Sequence, residues 1–458
     1  MRIIPTGLLK LISVSVTLQV LASITPASYA QTASINAGTI YQTMDGFGAS
    51  TGYVEQNNNM NSAQAASYFS PASGIGLSWI RIQDCGSDTD CASSGSTSYT
   101  PDLATLQMAV AQGAKVFITF DYPYGDLSYY SSMTTYAVGR IAYLQSQGVP
   151  VSAIGPENEP GNGNDFTNAL EDTWIDALGA ALHNAGYNIP IAMPESGANY
   201  VYDATINPRG DFFSDCMSDS TCESYVSYAA QHGYSTWPFG PAAHYTALPS
   251  SVGSRHSWQT EVDGNINGAW GCSTDSDPVW DPSINDGIGW AENIHDFLTN
   301  QNGSLWMYWN LQSGHTEVTP NGCNDGLADI NFNPAKRFYT VGNWSKFVRP
   351  GWVRIEATPT PQSGLYVTAF MNQSTGAFAI VAINSNNGSV SQSFSLNGLS
   401  SSSVTPYITD GSNSLASQAA ISFSNASFTA TLNASSVTTF VSSSGPAAPM
   451  NLTGSLLK

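Results

Sequence analysis

The chain has 458 residues, with 33 Asp+Glu against 13 Lys+Arg and a formal net charge of −20. So little basic surface excludes nucleic acid and anionic membranes as partners, because both are gripped through Lys and Arg; it also disfavours a polyanionic substrate. The length exceeds the ~250–300 residues that a single hydrophobic core holds, which predicts one large domain plus a small one.

Residues 1–30 read as a signal peptide. Arg2 and Lys10 give a positive start, an apolar stretch follows, and Ala27-Ser28-Tyr29-Ala30 supplies small residues for cleavage. The apolar stretch is shorter than the ~20 residues a membrane span needs. The expectation is therefore a secreted, extracellular protein beginning near Gln31, with no membrane association after cleavage.

From residue 45 to 345, short apolar runs alternate with amphipathic stretches. Strands are predicted at 46–51, 77–83, 115–121, 151–159, 189–193, 240–245, 256–261 and 305–311, and helices include 103–112, 135–147, 170–185 and 290–300. Eight strands interleaved with helices predict an α/β fold, a (β/α)8 TIM barrel, whose chemistry lies at the C-terminal strand ends. No GxGxxG turn supports the rival, a doubly wound open sheet.

From 346 to 441 the pattern becomes short alternating strands between Asn, Gly and Ser turns, which predicts an antiparallel β-sandwich side domain. Residues 31–44 have the same character and are expected to return to that domain, so that it is formed from both termini. The tail 442–458 is expected to be disordered.

The six cysteines are expected as disulfides in an exported chain. Cys85 with Cys91 and Cys216 with Cys222 each enclose a short loop, leaving Cys272 with Cys323. Zinc is a poor rival, since no CxxC is present and no His stands at ligand spacing. Asn343, Asn387, Asn425 and Asn433 begin Asn-x-Ser triplets, which matter only if the host glycosylates.

Two segments place a carboxylate where a barrel strand should end. One is Ile154-Gly155-Pro156-Glu157-Asn158-Glu159-Pro160, whose last Pro prevents further ladder bonding. The other is Trp258-Gln259-Thr260-Glu261-Val262. They fall on predicted strands four and seven, across the barrel from each other. Glycoside hydrolysis needs two carboxyls across one sugar ring, ~5–5.5 Å apart in a retaining enzyme. A lone Glu at a strand end is more often structural, so the pairing carries the argument. Glu157 and Glu195 are the competitors for the first role. Glu159 ranks above them because Asn158 beside it can hold a sugar hydroxyl.

The chain resembles glycoside hydrolase family 30. Met44-Asp45-Gly46-Phe47-Gly48-Ala49-Ser50 matches that family's opening strand, and Gly74-Ile75-Gly76-Leu77-Ser78-Trp79-Ile80-Arg81 its second. Phe347-Val348-Arg349-Pro350-Gly351-Trp352-Val353-Arg354-Ile355 matches its join between barrel and side domain, nearest to the xylanase branches. The resemblance implies a retaining mechanism without metal or cofactor. It makes Glu159 the acid/base and Glu261 the nucleophile. Arg81 would keep Glu261 ionised, and Trp309 would floor the subsite at the bond cleaved. His244 and Tyr245 would end strand six, where a Tyr bonds the nucleophile. Tyr53, Tyr122 and Tyr124 are candidate sugar platforms. The chain departs from the family after strand three, with Phe120-Asp121-Tyr122-Pro123, and after strand eight, with no Arg to grip a glucuronate.

The resulting expectation is a secreted, monomeric endo-glycoside hydrolase acting on a plant cell-wall polysaccharide, β-1,4-xylan first. A β-1,6-glucanase, a β-1,6-galactanase, a glucosylceramidase and a non-catalytic carbohydrate-binding protein are the alternatives.

Overall fold

The structure, a computed structural model, describes residues 32–53, 60–84, 102–121, 130–160, 167–197, 212–234, 245–248, 250–264, 280–312, 326–329 and 331–443. The expected signal peptide and nearly all of the expected tail lie outside these residues.

Strand β1 (Ala33–Thr43) precedes eight parallel strands. These are β2 (Gly46–Tyr53), β3 (Trp79–Asp84), β4 (Lys115–Phe120), β5 (Val151–Gly155), β6 (Ile191–Ser196), β7 (Val226–His232), β8 (His256–Glu261) and β9 (Leu305–Gln312). They pair in chain order, and β9 pairs with both β8 and β2, so the sheet closes into a barrel. A short β10 (Gly326–Ala328) adds to β9 on its open side.

The predicted helices appear as α2 (Leu103–Ala111), α3 (Tyr130–Ser146), α4 (Asn168–Asn184) and α7 (Ile284–Asn300). In α7 the buried Ile288, Ala291, Ile294 and Leu298 recur at three- and four-residue spacing, the stripe that packs on a sheet. The first helix, α1 (Ser62–Phe69), starts at a reciprocal capping box between Asn61 and Gln64. Arg140 of α3 is buried between Asp84 at the end of β3 (2.6 Å) and Asp102 before α2 (3.1 Å), which ties three elements together.

Inside the barrel, Trp79, Phe117, Ala153, Ala192, Ala230, Trp258, Leu305 and Met307 form a separate apolar cluster. Two large indoles meet small alanines on β5, β6 and β7, so the interior fills without a channel. Two residues further along their strands, Arg81, Thr119 and His232 point to the same side. The apolar plug thereby carries a polar layer at its C-terminal end.

Two strands depart from expectation by four residues or more. The fourth barrel strand stops at Gly155, and residues 156–160 bend away, with Glu159 at φ 49°. Strand six is β7, Val226–His232, and not 240–245. Its alternation is diluted by Ser227, Ala229 and Ala230, because the Ala230 position faces the bulk of Trp258 and admits only a small side chain.

After α8 (Lys336–Ser345) the chain enters the side domain. Its strands are β11 (Val353–Ala357), β12 (Leu365–Met371), β13 (Phe378–Asn384), β14 (Val390–Asn397), β15 (Ser403–Thr409), the two-residue β16 (Ala416–Ser417) and β17 (Ile421–Ser422), β18 (Ser427–Leu432) and β19 (Ser436–Ser442). With β1 they form one ten-stranded sheet. As expected, β1 belongs to this domain. It pairs antiparallel to β11 and parallel to β14, which makes the sheet mixed. The sheet folds over on itself: Phe428 of β18 packs 5.1 Å from Phe440 of β19, six positions away in strand order.

The two domains are joined by buried polar contacts. The Asn343 side chain donates to the Tyr407 carbonyl (3.1 Å) and to Thr439 (2.9 Å), while Trp344 donates to Thr368 (3.2 Å). Asn343 is fully buried, so its triplet is closed to glycosylation in the folded chain; Asn387 and Asn425 are exposed.

Candidate active site

The polar layer above the apolar plug gathers residues far apart in sequence. Arg81 on β3 is fully buried, and its guanidinium reaches three groups. It donates to Oε2 of Glu261 at 2.8 Å and to Oδ1 of Asn158 at 2.8 Å, and its Nε lies 3.4 Å from Oε1 of Glu195. The planar fork is what lets one side chain bond two acceptors while facing a third carboxylate.

His232, the last residue of β7, is equally buried. Its Nδ1 lies 2.9 Å from Oε1 of Glu159 and 3.5 Å from Oε1 of Glu261, and its Nε2 lies 3.9 Å from Glu195. The hydroxyl of Tyr234, two residues on, donates to Glu261 at 3.1 Å and to Asp263 at 3.2 Å. Trp309 on β9 is half-buried, with the Arg81 guanidinium 5.8 Å from its ring centre.

Glu159 and Glu261 therefore face one another around His232, with potential ligand atoms of all three residues within 4.8 Å of one another. Their side chains keep 15% and 8% exposure, whereas Glu157 and Glu195 are wholly buried. Of the four glutamates, only the two expected ones can meet a substrate from the barrel mouth. Asn158 stands beside them, anchored by its amide to the Phe120 carbonyl at 2.6 Å.

Burial pushes the Glu261 carboxyl above its ordinary range, opposed by His232 and Arg81 and reinforced by Glu159 and Glu195. For His232, burial works against the imidazolium, but the carboxylates of Glu261 and Glu159 outweigh it and raise its pKa. Arg81 is likewise held in its charged form, despite burial, by Glu195 and Glu261. Burial lifts the Tyr234 phenol far above its usual range, which keeps it a donor.

The cluster of Glu159, His232 and Glu261 is also where a cation could sit. The donors are committed to each other, however, with His232 bonded to Glu159 and a guanidinium already against Glu261. A second grouping, Asp172 with Cys216 and Cys222, has its two sulfurs tied in a disulfide (Cα–Cα 5.3 Å) and offers no thiolate.

Several expectations need correction or fall elsewhere. Tyr245 does not end a barrel strand. Its ring is buried edge-on against Phe297, 5.1 Å away, and Tyr234 is the tyrosine that donates to Glu261. His232, missed in the sequence, occupies the strand-six position. The available signal was Gln231-His232-Gly233-Tyr234, polar residues closing a run of small and apolar ones. His244, Tyr122 and Tyr124 lie outside the described residues, as do Cys85, Cys91, Cys272, Cys323 and the side chain of Tyr53.

No protein-family model matches the chain. The glucuronoxylanase XynC of Bacillus subtilis is 26% identical over 445 residues, covering 91% of this chain and 93% of that protein. The crystal structure of a GH30 endoxylanase from Clostridium papyrosolvens C71 superposes with a TM-score of 0.70 at 26% identity, covering 90% of this chain and 99% of that one. The family 30 subfamily 8 xylanase Xyn30A from Clostridium acetobutylicum gives 0.71 at 24% identity, with coverages of 90% and 99%. Both structures carry the barrel and side domain of the present fold over nearly their whole length, and the curated relative aligns across both domains. Across both domains the chain is similar in sequence and fold to family 30 glycoside hydrolases, which supports its assignment as a glycoside hydrolase of that family.

Proposed function

We propose that the protein is an exported, retaining endo-hydrolase of a neutral plant-wall polysaccharide, β-1,4-xylan first. The observation that carries this is the approach of Glu159 and Glu261 to within 4.8 Å around His232. That separation fits the ~5–5.5 Å of retaining enzymes and leaves no room for the water of an inverting pair, which needs ~6.5–9.5 Å.

In this reading Glu261, held ionised by Arg81, attacks the anomeric carbon while Glu159 protonates the departing glycosidic oxygen. Glu159 then takes a proton from water, which attacks the glycosyl-enzyme from the face the leaving group vacated. Asn158 holds a hydroxyl of the sugar whose bond breaks, and Trp309 floors that subsite. The xylanase names of the relatives support the substrate. From Gln312 to Asp325, after the last barrel strand, the sequence has no Lys or Arg. With a net charge of −20, this favours activity that does not depend on glucuronate side groups.

The test has three arms. NMR of the first products from a β-xylan should show the β-anomer; the α-anomer would mean inversion. With an activated aryl glycoside and azide, Glu159→Ala should give the β-glycosyl azide and Glu261→Ala the α-glycosyl azide. The opposite pair would reverse the two roles. Comparable rates on arabinoxylan and glucuronoxylan support the neutral-substrate reading, and a loss of orders of magnitude without glucuronate refutes it.

A further inference from the structure

Glu195 is a carboxylate the mechanism above does not use. It is the penultimate residue of β6, is wholly buried, and lies in the polar layer with the two glutamates. Its Oε1 lies 3.4 Å from Nε of Arg81 and 3.9 Å from Nε2 of His232, and its Oε2 accepts from the Thr119 hydroxyl. Arg81 and His232 are the two cationic groups that hold Glu261 and Glu159. Glu195 therefore lies within ion-pair distance of both, buried deeper than the two glutamates.

Its backbone is engaged as well. The Glu195 carbonyl accepts from the Glu159 amide at 3.1 Å, so the bend that presents Glu159 leans on this residue. Glu195 itself has φ 54°, a left-handed conformation costly for a non-glycine residue, of the kind that gathers at functional sites. Two glycines make room for the arrangement. A Cβ on Gly155 would collide with the Glu195 carboxylate and the Thr119 hydroxyl, and one on Gly197 would stand 2.9 Å from Oε1 of Glu159.

We infer that Glu195 is a positioning residue: its buried carboxylate orients Arg81 and His232 together and so sets the geometry and charge balance of the pair Glu159 and Glu261. The inference rests on the roles proposed for those two glutamates. A buried anion against both cations divides their field, so Arg81 and His232 do not act on Glu261 alone. Glu195 is also among the groups that raise the Glu261 pKa. Without its charge, the acid limb of the pH profile moves to lower pH, because Glu261 faces the same cations with one fewer anion beside it.

The test compares Glu195→Gln with Glu195→Asp on xylo-oligosaccharides, with Glu159→Gln and Glu261→Gln in the same assay. Glu195→Gln should fold, keep KM within about twofold, and lose kcat by about 10- to 100-fold, the scale of a displaced reacting group. Its acid limb should move down in pH, and Glu195→Asp, which keeps the charge, should be less impaired than Glu195→Gln. A Glu195→Gln enzyme with wild-type kcat and pH profile, or one better than Glu195→Asp, overturns the inference. If Glu195→Gln does not fold, Thr119→Val takes its place: it removes the hydroxyl that fixes the carboxylate while leaving the charge. A fall in kcat at constant KM supports the inference there, and an unchanged kcat overturns it. Retained turnover in Glu159→Gln or Glu261→Gln refutes the proposed roles instead, whatever Glu195 does.

Discussion

Replacing Arg81 by Met removes the charge that faces Glu261 and keeps an unbranched apolar side chain in place of the arginine stem. Nη1 lies 2.8 Å from the carboxylate, with both groups nearly inaccessible to water. Opposite unit charges with centres about 4 Å apart interact by ~4 kcal/mol at an effective dielectric of ~20. At 1.36 kcal/mol per factor of ten, that corresponds to a loss of up to about 10³-fold in kcat/KM where the wild type holds Glu261 ionised. His232 and Tyr234 remain as partners, so the loss should fall below that ceiling. The sign of the pH effect is fixed. Removing a cation favours the protonated carboxyl, so the acid limb of kcat/KM moves to higher pH and activity recovers in part as pH rises. The profile would be taken on a soluble xylan, with thermal melting as a control, because breaking a buried pair costs ~3–5 kcal/mol of stability. Arg81→Lys should fall between, since an ammonium keeps the charge but cannot hold Glu261, Glu195 and Asn158 together. A folded Arg81→Met enzyme within about threefold of wild type, with its acid limb unmoved, would falsify the coupling.

Two further outcomes follow from the corrected strand six and from the disulfide. Tyr234→Phe removes a donor to an ionised carboxylate, worth ~1.5–3 kcal/mol, and should lower kcat by roughly 10- to 100-fold. Tyr245→Phe, whose ring packs on Phe297, should leave kcat/KM unchanged, and equal losses in the two variants would argue against this placement. Replacing Cys216 and Cys222 by Ser opens a loop of sequence separation 6 between two short helices, a cross-link worth ~2.4 kcal/mol by loop-closure entropy. Urea unfolding should show that loss with kcat intact, and an unchanged midpoint would mean the bridge does not constrain the unfolded chain.

The two glutamates were legible because their signals are local. An apolar run that breaks into Asn-Glu-Pro, and a second that ends in Glu, mark strand ends wherever the strands go. Arg81 was reached only through the family resemblance of the segment Gly74 to Arg81, since a single cation inside an apolar run does not show what it will face. His232 and Tyr234 were not legible, because β7 reads Val226-Ser-Tyr-Ala-Ala-Gln-His232, too mixed for a buried strand. Its small residues make sense only beside Trp258, which belongs to the next strand. Helix α8 was hidden similarly: Lys336–Ser345 holds Tyr, Thr, Val, Gly and Asn, weak helix formers, and is stabilised by burial between the barrel and the side domain.

Local residue order thus determined the barrel class, the side domain from both ends of the chain, and which carboxylates lie at or just past strand ends. Periodicity and chain-breaking residues act over a few positions, and nothing distant is needed to read them. Only the tertiary structure decided that β1 runs parallel to β14 and that strand six ends at His232. It alone brings Arg81 to Glu261 across 180 residues and sets Glu195 beside them. Those pairings arise from barrel closure and from the fit of large side chains against small ones, and such complementarity is a property of neighbours in space.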